Sequence, residues 1–272
     1  MCYDVKSQLM AALKRARHLQ DMEEARRIQE ALERYEGQVL FHHVSGFDHP
    51  RLIVYTDREP FTPQLFTWGL IPLWVKDRAQ AKKLQDQTLN ARGETIFDKP
   101  AFRNSAKKKR CVLYLDGFYE HHHAGGRTYP YFIRMKDKEP FAVAGLWEEW
   151  VDRETGEMER TFAIVTSQAN GLMARIHNNP KLTEGPRMPL ILPDELVDAW
   201  LAPVKDELDV QRIKDLVRPY PAAAMEAHTV GRIRGRNALG NVPAACEELA
   251  YPELMVDRPA EGWIGGTDLH NC

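Results

Sequence analysis

The chain has few cysteines, no long apolar run and almost no net charge. Its four cysteines, Cys2, Cys111, Cys246 and Cys272, form no CxxC pair, which argues against a zinc knuckle and against a disulfide framework. A reducing cytoplasm is the expected compartment. No apolar run approaches the ~18 residues that a membrane-spanning helix needs. Met1 to Arg17 is basic but has no apolar segment or small-residue cleavage site, so no secretory signal is expected. Lysine and arginine total 37 against 39 aspartate and glutamate, a formal charge of -2. No global field therefore draws the protein to a polyanion, and any such site has to be a local patch. Internal repeats and low-complexity blocks are absent too. What is present is a chain of 272 residues, 43% hydrophobic, enough to bury a full core.

The pattern predicts an α+β fold: a single domain with a curved, mainly antiparallel, barrel-like β-sheet and peripheral helices. Residues 8–36 read as one amphipathic helix, with Leu9, Leu13, Ala16, Leu19, Ala25, Ile28 and Leu32 near helical spacing and Gly37 as its stop. Short β-rich runs follow at Val39 to Val44, Leu52 to Thr56, Leu65 to Leu70, Cys111 to Leu115, Phe118 to His121, Tyr131 to Met135, Phe141 to Leu146, Thr161 to Thr166 and Met188 to Leu192. Turn signals such as Asp116-Gly117 and Gly125-Gly126 separate them. Three further helices are expected: Ala169 to His177, one capped by Asp194 and running to Leu201, and Glu207 to Val217. Strands and helices do not alternate, so a Rossmann layout is not indicated. Residues 1–250 form the expected domain, and 251–272, rich in Gly and Pro, an irregular tail.

Cys2 carries unusual chemistry. Once the initiator Met is clipped, as expected before a small side chain, it presents a free α-amine and a thiol two carbons apart. An α-amine has a pKa near ~8, so much of it is nucleophilic at neutral pH. It would attack an aldehyde to give a Schiff base, and the thiol would close a five-membered ring on the same carbon. An internal cysteine has neither step. On position alone, Cys2 is equally an ordinary second residue.

The stretch Lys76 to Arg110 is locally basic. It holds Lys76, Arg78, Lys82, Lys83, Arg92, Lys99, Arg103, Lys107, Lys108, Lys109 and Arg110 against Asp77, Asp86, Glu94 and Asp98. With Trp68, Trp74, Phe97 and Phe102 nearby, it has the aromatic-plus-basic character that suits a single strand, whose unstacked bases need flat partners. A solvated loop and core tryptophans are the plainer alternative.

The order of motifs is more specific. Cys2 is followed by Trp68-Gly69-Leu70-Ile71-Pro72-x-Trp74, Asn90-Ala91-Arg92-x-Glu94-Thr95, Arg110-Cys111, Asp116-Gly117-Phe118-Tyr119-Glu120, Phe141 to Trp147, Phe162 to Thr166, and Ile176-His177 with Arg187-Met188-Pro189. In this order the chain resembles the SRAP family (SOS response-associated peptidase), proteins that cross-link to abasic sites in single-stranded DNA, over about residues 2–245. The resemblance implies that Cys2 condenses with the ring-opened abasic sugar to a thiazolidine. It also implies that Asn90 positions the sugar or the amine, Glu120 serves as acid and base, and His177 moves protons. Glu120 would need a raised pKa, for which Phe118 or Tyr119 would supply an apolar wall. Arg92 and Arg187 would grip phosphates, with Trp68, Trp74, Thr166, Lys108 and Arg110 as further DNA contacts. A monomer acting on abasic single-stranded DNA is implied, with no membrane, metal or cofactor. Autoproteolysis, in the family name, would here mean removal of Met1.

Three features depart from the family pattern. The start reads Cys2-Tyr3-Asp4-Val5 where Cys-Gly-Arg-Phe is usual, which removes an arginine and adds a repelling carboxylate. Tyr119-Glu120-His121 replaces Tyr-Glu-Trp, at the cost of a stacking ring. Asn178 to Pro186 separate His177 from Arg187-Met188-Pro189, which puts the position of His177 in question. The run His121-His122-His123 fits a metal site poorly, because neighbours on a strand point to opposite faces. Two rival functions remain open on sequence: an N-terminal-cysteine amidohydrolase or glutamine amidotransferase, and a plain single-strand-binding module.

Overall fold

Period-two alternation sorts the strand side chains into two cores. The computed structural model describes residues 2–8, 11, 14–15, 22–35, 38 and 40–256. Its strands are β1 (Asp4–Gln8), β2 (Leu40–Ser45), β3 (Arg51–Thr56), β4 (Gln64–Trp68), β5 (Asn90–Arg92), β6 (Arg110–Leu115), β7 (Gly117–Ala124), β8 (Arg127–Met135), β9 (Phe141–Val151), β10 (Met158–Gln168), β11 (Arg187–Pro189), β12 (Ile191–Leu192) and β13 (Met225–Thr229). The helices are α1 (Met22–Glu33), α2 (Arg78–Gln85), α3 (Arg103–Lys108), α4 (Gly171–Ile176), α5 (Val197–Leu201), α6 (Glu207–Asp215) and α7 (Pro252–Val256).

Strands β10, β4, β3, β6 and β9 pair in that order, and β9 pairs back onto β10, so the sheet closes into a barrel. Every pairing in the ring is antiparallel except β10 with β4. Closure leaves no open edge along the ring. Ile53, Tyr55, Val112, Tyr114, Ala144, Leu146, Ala163 and Val165 share one core with Ile28, Leu32, Phe102, Trp200 and Ile213 of the helices. The intervening Leu52, Val54, Cys111, Leu113, Val143, Phe162 and Ile164 pack with Cys2, Val5, Phe118 and Ile133. These last four belong to a second sheet, ordered β13-β8-β7-β1-β2, or to its edge. The α+β barrel with peripheral helices agrees with the expectation.

Local differences have physical causes. Of the predicted helix over 8–36, α1 is present, and its exposed face is laced by Arg26–Glu30 and Arg27–Glu23 pairs. Gln8 instead ends β1, a strand that alternates poorly but is held on both sides, by β2 and β7. Gly37 and most of 9–21 lie outside the described residues. Asp194 is not the N-cap: Pro193 stands there, and Asp194 pairs with Lys14 at 3.1 Å. Within the expected tail, α7 forms a short helix, and 257–272 lie outside the described residues. Among the described residues no helix is long and apolar enough to cross a membrane.

Candidate active site

The C-terminal half of β10 organises the site. Its Ile164–Thr166 segment takes β5 alongside in parallel, Asn90 opposite Ile164 and Arg92 opposite Thr166. Thr166, Ser167 and Gln168 pair with β11. Across from this, β1 lies against β7 with Asp4 opposite Tyr119 and Val5 opposite Phe118. The N-terminal end of β1 therefore arrives where β5, β7 and β11 meet.

Cys2 is buried there, 1% exposed. Its carbonyl accepts a hydrogen bond from Asn90 Nδ2 at 2.8 Å. The other side-chain atom of Asn90, Oδ1, is buried and has no hydrogen-bond partner among the described residues. An unsatisfied buried acceptor costs about 1–3 kcal/mol, so this one is a place prepared for a donor. Glu120, on β7, accepts the His121 N–H on Oε1 at 3.0 Å, and its Oε2 lies 3.6 Å from His177 Nδ1. Phe118 shares the face of Glu120 and the core of Cys2, whereas Tyr119 points to the other side, against Phe132 and His43. Of the two rings, only Phe118 is on the Glu120 side of the strand.

His177 stands at the C-cap of α4, whose N-cap Asn170 accepts from Met173 N at 2.9 Å. Its Nδ1 lies 3.2 Å from the Arg187 N–H and 3.0 Å from the Arg187 carbonyl. The neutral ring accepts the N–H; with a proton on Nδ1 it donates to the carbonyl or to Glu120. That is the geometry of a group that holds and passes a proton. The inserted segment 178–186 therefore leaves His177 beside both partners. Burial holds the His177 pKa below the ordinary value of 6.5, with Glu120 opposing. An NMR titration is accordingly expected to give a midpoint below 6.5. As pH falls, the unfolded chain takes up this proton first. Stability should then decline from about pH 6.5 to the folded midpoint and level off, a decline reduced in His177→Gln melts. A midpoint above 6.5 would contradict the assignment.

Burial, and after it the Glu120 carboxylate, push the Cys2 thiol well up from its usual value. In the chain that still carries Met1, burial therefore disfavours the thiolate.

Several residues expected at a DNA contact have structural roles instead. Trp68 is fully buried, stacked on Phe162, and its Nε1 donates to the Leu89 carbonyl at 2.8 Å, so it offers no face to a base. Arg110 is also fully buried and donates to the carbonyls of Ala106, Trp200 and Ala202, satisfying the ends of α3 and α5. Lys109 is buried on Glu148, so the run Lys107 to Arg110 splits and only Lys107 and Lys108 face solvent. Arg187 is turned inward: Nε donates to Thr166 Oγ1 at 3.1 Å, and Nη2 to the Thr166 carbonyl at 2.8 Å and Glu94 Oε2 at 2.6 Å. As placed, Arg187 and the buried Thr166 fix the backbone that holds His177 rather than face an open groove. Arg92 is partly exposed and pairs with Glu184 of the inserted segment. Trp74 is exposed, its Nε1 3.3 Å from the Pro100 carbonyl.

The altered N-terminal motif is compensated. Asp4 is buried, lies 3.0 Å from His43 Nε2 and is paired with Arg234, so it is not a free repelling charge. Arg234 also lies over the rings of Tyr3 and Phe47, at 6.0 and 5.7 Å, which meet each other at 4.9 Å. No local signal in the sequence links residue 234 to residue 4. The His122 ring lies on the Arg175 carbonyl, and the backbone N–H and carbonyl of His123 form a reciprocal pair with the Asn178 side chain. Among the described residues no three His, Cys, Asp or Glu side chains are grouped to hold a metal ion.

Comparisons with known proteins agree with this architecture. The chain is 39% identical over 167 residues to the abasic site processing protein YoqW of Bacillus subtilis (strain 168), covering 61% of this chain and 68% of YoqW. It is 32% identical over 172 residues to the abasic site processing protein HMCES of Gallus gallus, covering 56% of this chain and 48% of HMCES. A crystal structure of a protein from Bacteroides thetaiotaomicron matches with a TM-score of 0.75 at 32% identity, over 92% of this chain and 100% of the other. The model of the SOS response associated peptidase (SRAP) family matches residues 6–234, a span that carries Asn90, Glu120 and His177 and most of the strand that delivers Cys2 to them. With most of its length inside that match, the chain belongs to the SRAP family.

Proposed function

We propose that this protein captures abasic sites in single-stranded DNA through Cys2 and caps them as a covalent thiazolidine. The observation that carries the reading is Asn90. It holds the Cys2 carbonyl with Nδ2 and keeps a buried, unmatched Oδ1, while Glu120, paired with His177, acts on the thiol of the same cysteine. Removal of Met1 creates an α-amine at Cys2, and an opened deoxyribose has hydroxyls; either supplies the donor that Oδ1 lacks. The names of the relatives, abasic site processing proteins, support the same substrate.

The chemistry proceeds as follows. The neutral α-amine of Cys2 adds to C1′ of the ring-opened sugar and forms a carbinolamine. Its hydroxyl leaves as water, with a proton from Glu120 or from His177 through it, and an iminium remains. The thiol sulfur then bonds to C1′, its proton passes to Glu120, and the ring nitrogen becomes a secondary amine. One water is released per adduct. A thiol held protonated by burial suits this order, the amine first and the sulfur as trap. It suits an amidohydrolase less, because there the sulfur has to attack as thiolate.

An intact-mass spectrum tests the reading. The purified protein should lack the mass of Met1 and, after mixing with an abasic oligonucleotide, should gain the mass of the oligonucleotide less one water. Retention of Met1 with no adduct would overturn it, and ammonia release from glutamine would favour the amidotransferase.

Glu184 has a place in this reading. Its carboxylate occupies the guanidinium that the family pattern assigns to a phosphate, so DNA has to displace it. Glu184→Gln is expected to tighten binding of an abasic oligonucleotide by about three- to tenfold at low salt, as weakening one charge-assisted hydrogen bond implies. Fluorescence anisotropy reads the change, and unaltered affinity would remove Glu184 from the DNA path.

A further inference from the structure

Past Glu120, β7 continues through His121 into a hairpin with β8, and the chain after β13 folds back over it. Val230 N donates to the Pro130 carbonyl at 2.9 Å, Tyr251 Oη donates to the Val230 carbonyl at 2.8 Å, and the rings of Tyr129 and Tyr251 meet edge to face at 5.1 Å. These elements border an open cavity of about 620 Å³, its wall including His121, Arg127, Arg232, Arg234 and Tyr251. Part of its outer wall lies beyond residue 234, where the family match ends.

The charge in this cavity is one-sided. Three guanidiniums face a single carboxylate, Glu253, which meets Arg127 at 3.4 Å across an exposed pair. An exposed pair of that kind is worth little and is readily exchanged. Arg232 is exposed, and its guanidinium has no hydrogen-bond or ion-pair partner among the described residues. Arg234 is anchored through one nitrogen to Asp4 and is still partly exposed. Position adds to charge. His121 follows Glu120 directly, and Arg234, paired with Asp4, is near enough to Cys2 to act on its thiol, so the cavity adjoins the site. A multiply cationic concavity of this size, walled by tyrosines, matches the backbone of a nucleic acid strand better than a neutral metabolite.

We infer that the cavity is a phosphate subsite, in which Arg127 and Arg232 hold a phosphodiester of the DNA strand flanking the abasic nucleotide. The inference rests on the function proposed above and adds the route by which the strand leaves the site. Arg234 is the hinge of that route, because it links the cavity to β1 and to the Tyr3–Phe47 rings.

The test is the double variant Arg127→Glu and Arg232→Glu, both outside the catalytic cluster. Two probes are used: an abasic dodecanucleotide, and free 2-deoxyribose, which has the aldehyde but neither a phosphate nor a flanking strand. For the oligonucleotide, Kd should rise about tenfold, and the slope of log K against log salt should fall by about 0.7 for each phosphate no longer neutralised. The Cys2 adduct with the small sugar should form at the wild-type rate. Unchanged affinity and slope would overturn the subsite, and so would an equal loss for both probes. A wild-type protein that binds the oligonucleotide with the expected salt slope but couples to neither probe would instead overturn the proposed chemistry and leave the subsite standing.

Discussion

Cys2→Ala is expected to abolish the heat-stable adduct with abasic DNA while leaving a trace that borohydride can trap. Alanine at position 2 still permits removal of Met1, so the variant keeps the α-amine and loses only the sulfur. The amine can form the imine, which is reversible in water, but nothing closes the ring. The contrast between the two readouts assigns the two halves of the reaction to different atoms of one residue. Binding of the strand should change little, because Cys2 is buried and the exposed cations lie elsewhere. The cost to folding should be small, roughly 1 kcal/mol for a void the size of one sulfur. Denaturing gels with and without borohydride make the measurement, with anisotropy as the control for binding. A heat-stable adduct formed by Cys2→Ala would show that the bond is made elsewhere. Equal binding of abasic and intact strands by both proteins, with no adduct from either, would reduce the protein to a plain single-strand binder.

Much of the barrel was legible because burial on both faces writes a simple pattern. In β9 the residues from Phe141 to Glu148 are all buried, and an apolar run bounded by turns can be little else than a central strand. What was missed depended on partners distant in sequence. In β1, Asp4-Val5-Lys6-Ser7-Gln8 reads as polar; it becomes a strand because β2 and β7 supply the hydrogen bonds. The short β5 and the late β13 are strands for the same reason. The helix α2 did carry a local signal. Asp77 accepts from Gln80 N at 2.8 Å and Gln80 Oε1 accepts from Lys76 N at 3.1 Å, close to the reciprocal arrangement of a capping box.

The candidate site divides along the same line. Asn90, Glu120 and His177 converge on Cys2 because each lies on or at the end of a regular element, and motif order preserves that. Charge, by contrast, misled. Arg110, Lys109 and Arg187 look like a cationic track in one dimension, and all three are consumed inside the fold by helix carbonyls, Glu148, and Thr166 with Glu94. The cations that do face an open concavity, Arg127, Arg232 and Arg234, are scattered over more than a hundred residues and leave no local signal. Asp4 shows the converse: a carboxylate that reads as repulsive is neutralised by Arg234 and His43.

Glu120→Gln is expected to slow adduct formation by about 10²- to 10⁴-fold, the usual contribution of a positioned acid–base group, at unchanged affinity for the strand. The substitution keeps the frame, since a glutamine oxygen can still accept the His121 N–H that Glu120 Oε1 now accepts at 3.0 Å. What disappears is the carboxyl group that, in the proposed chemistry, delivers a proton to the leaving hydroxyl and later removes one from the thiol. Two electrostatic consequences separate this role from a structural one. Glu120 raises the His177 pKa against the effect of burial, so in the variant the His177 midpoint should fall further. Glu120 also raises the Cys2 thiol, so thiol alkylation in the variant should begin at lower pH. Reversal of a preformed adduct should slow together with formation, because both directions pass through the same proton transfers. Single-turnover rates in each direction, an NMR titration of His177 and an alkylation pH profile make up the measurement. If the rate were unchanged while both titrations moved, Glu120 would set the local charge without carrying a proton, and the transfer would fall to His177 alone.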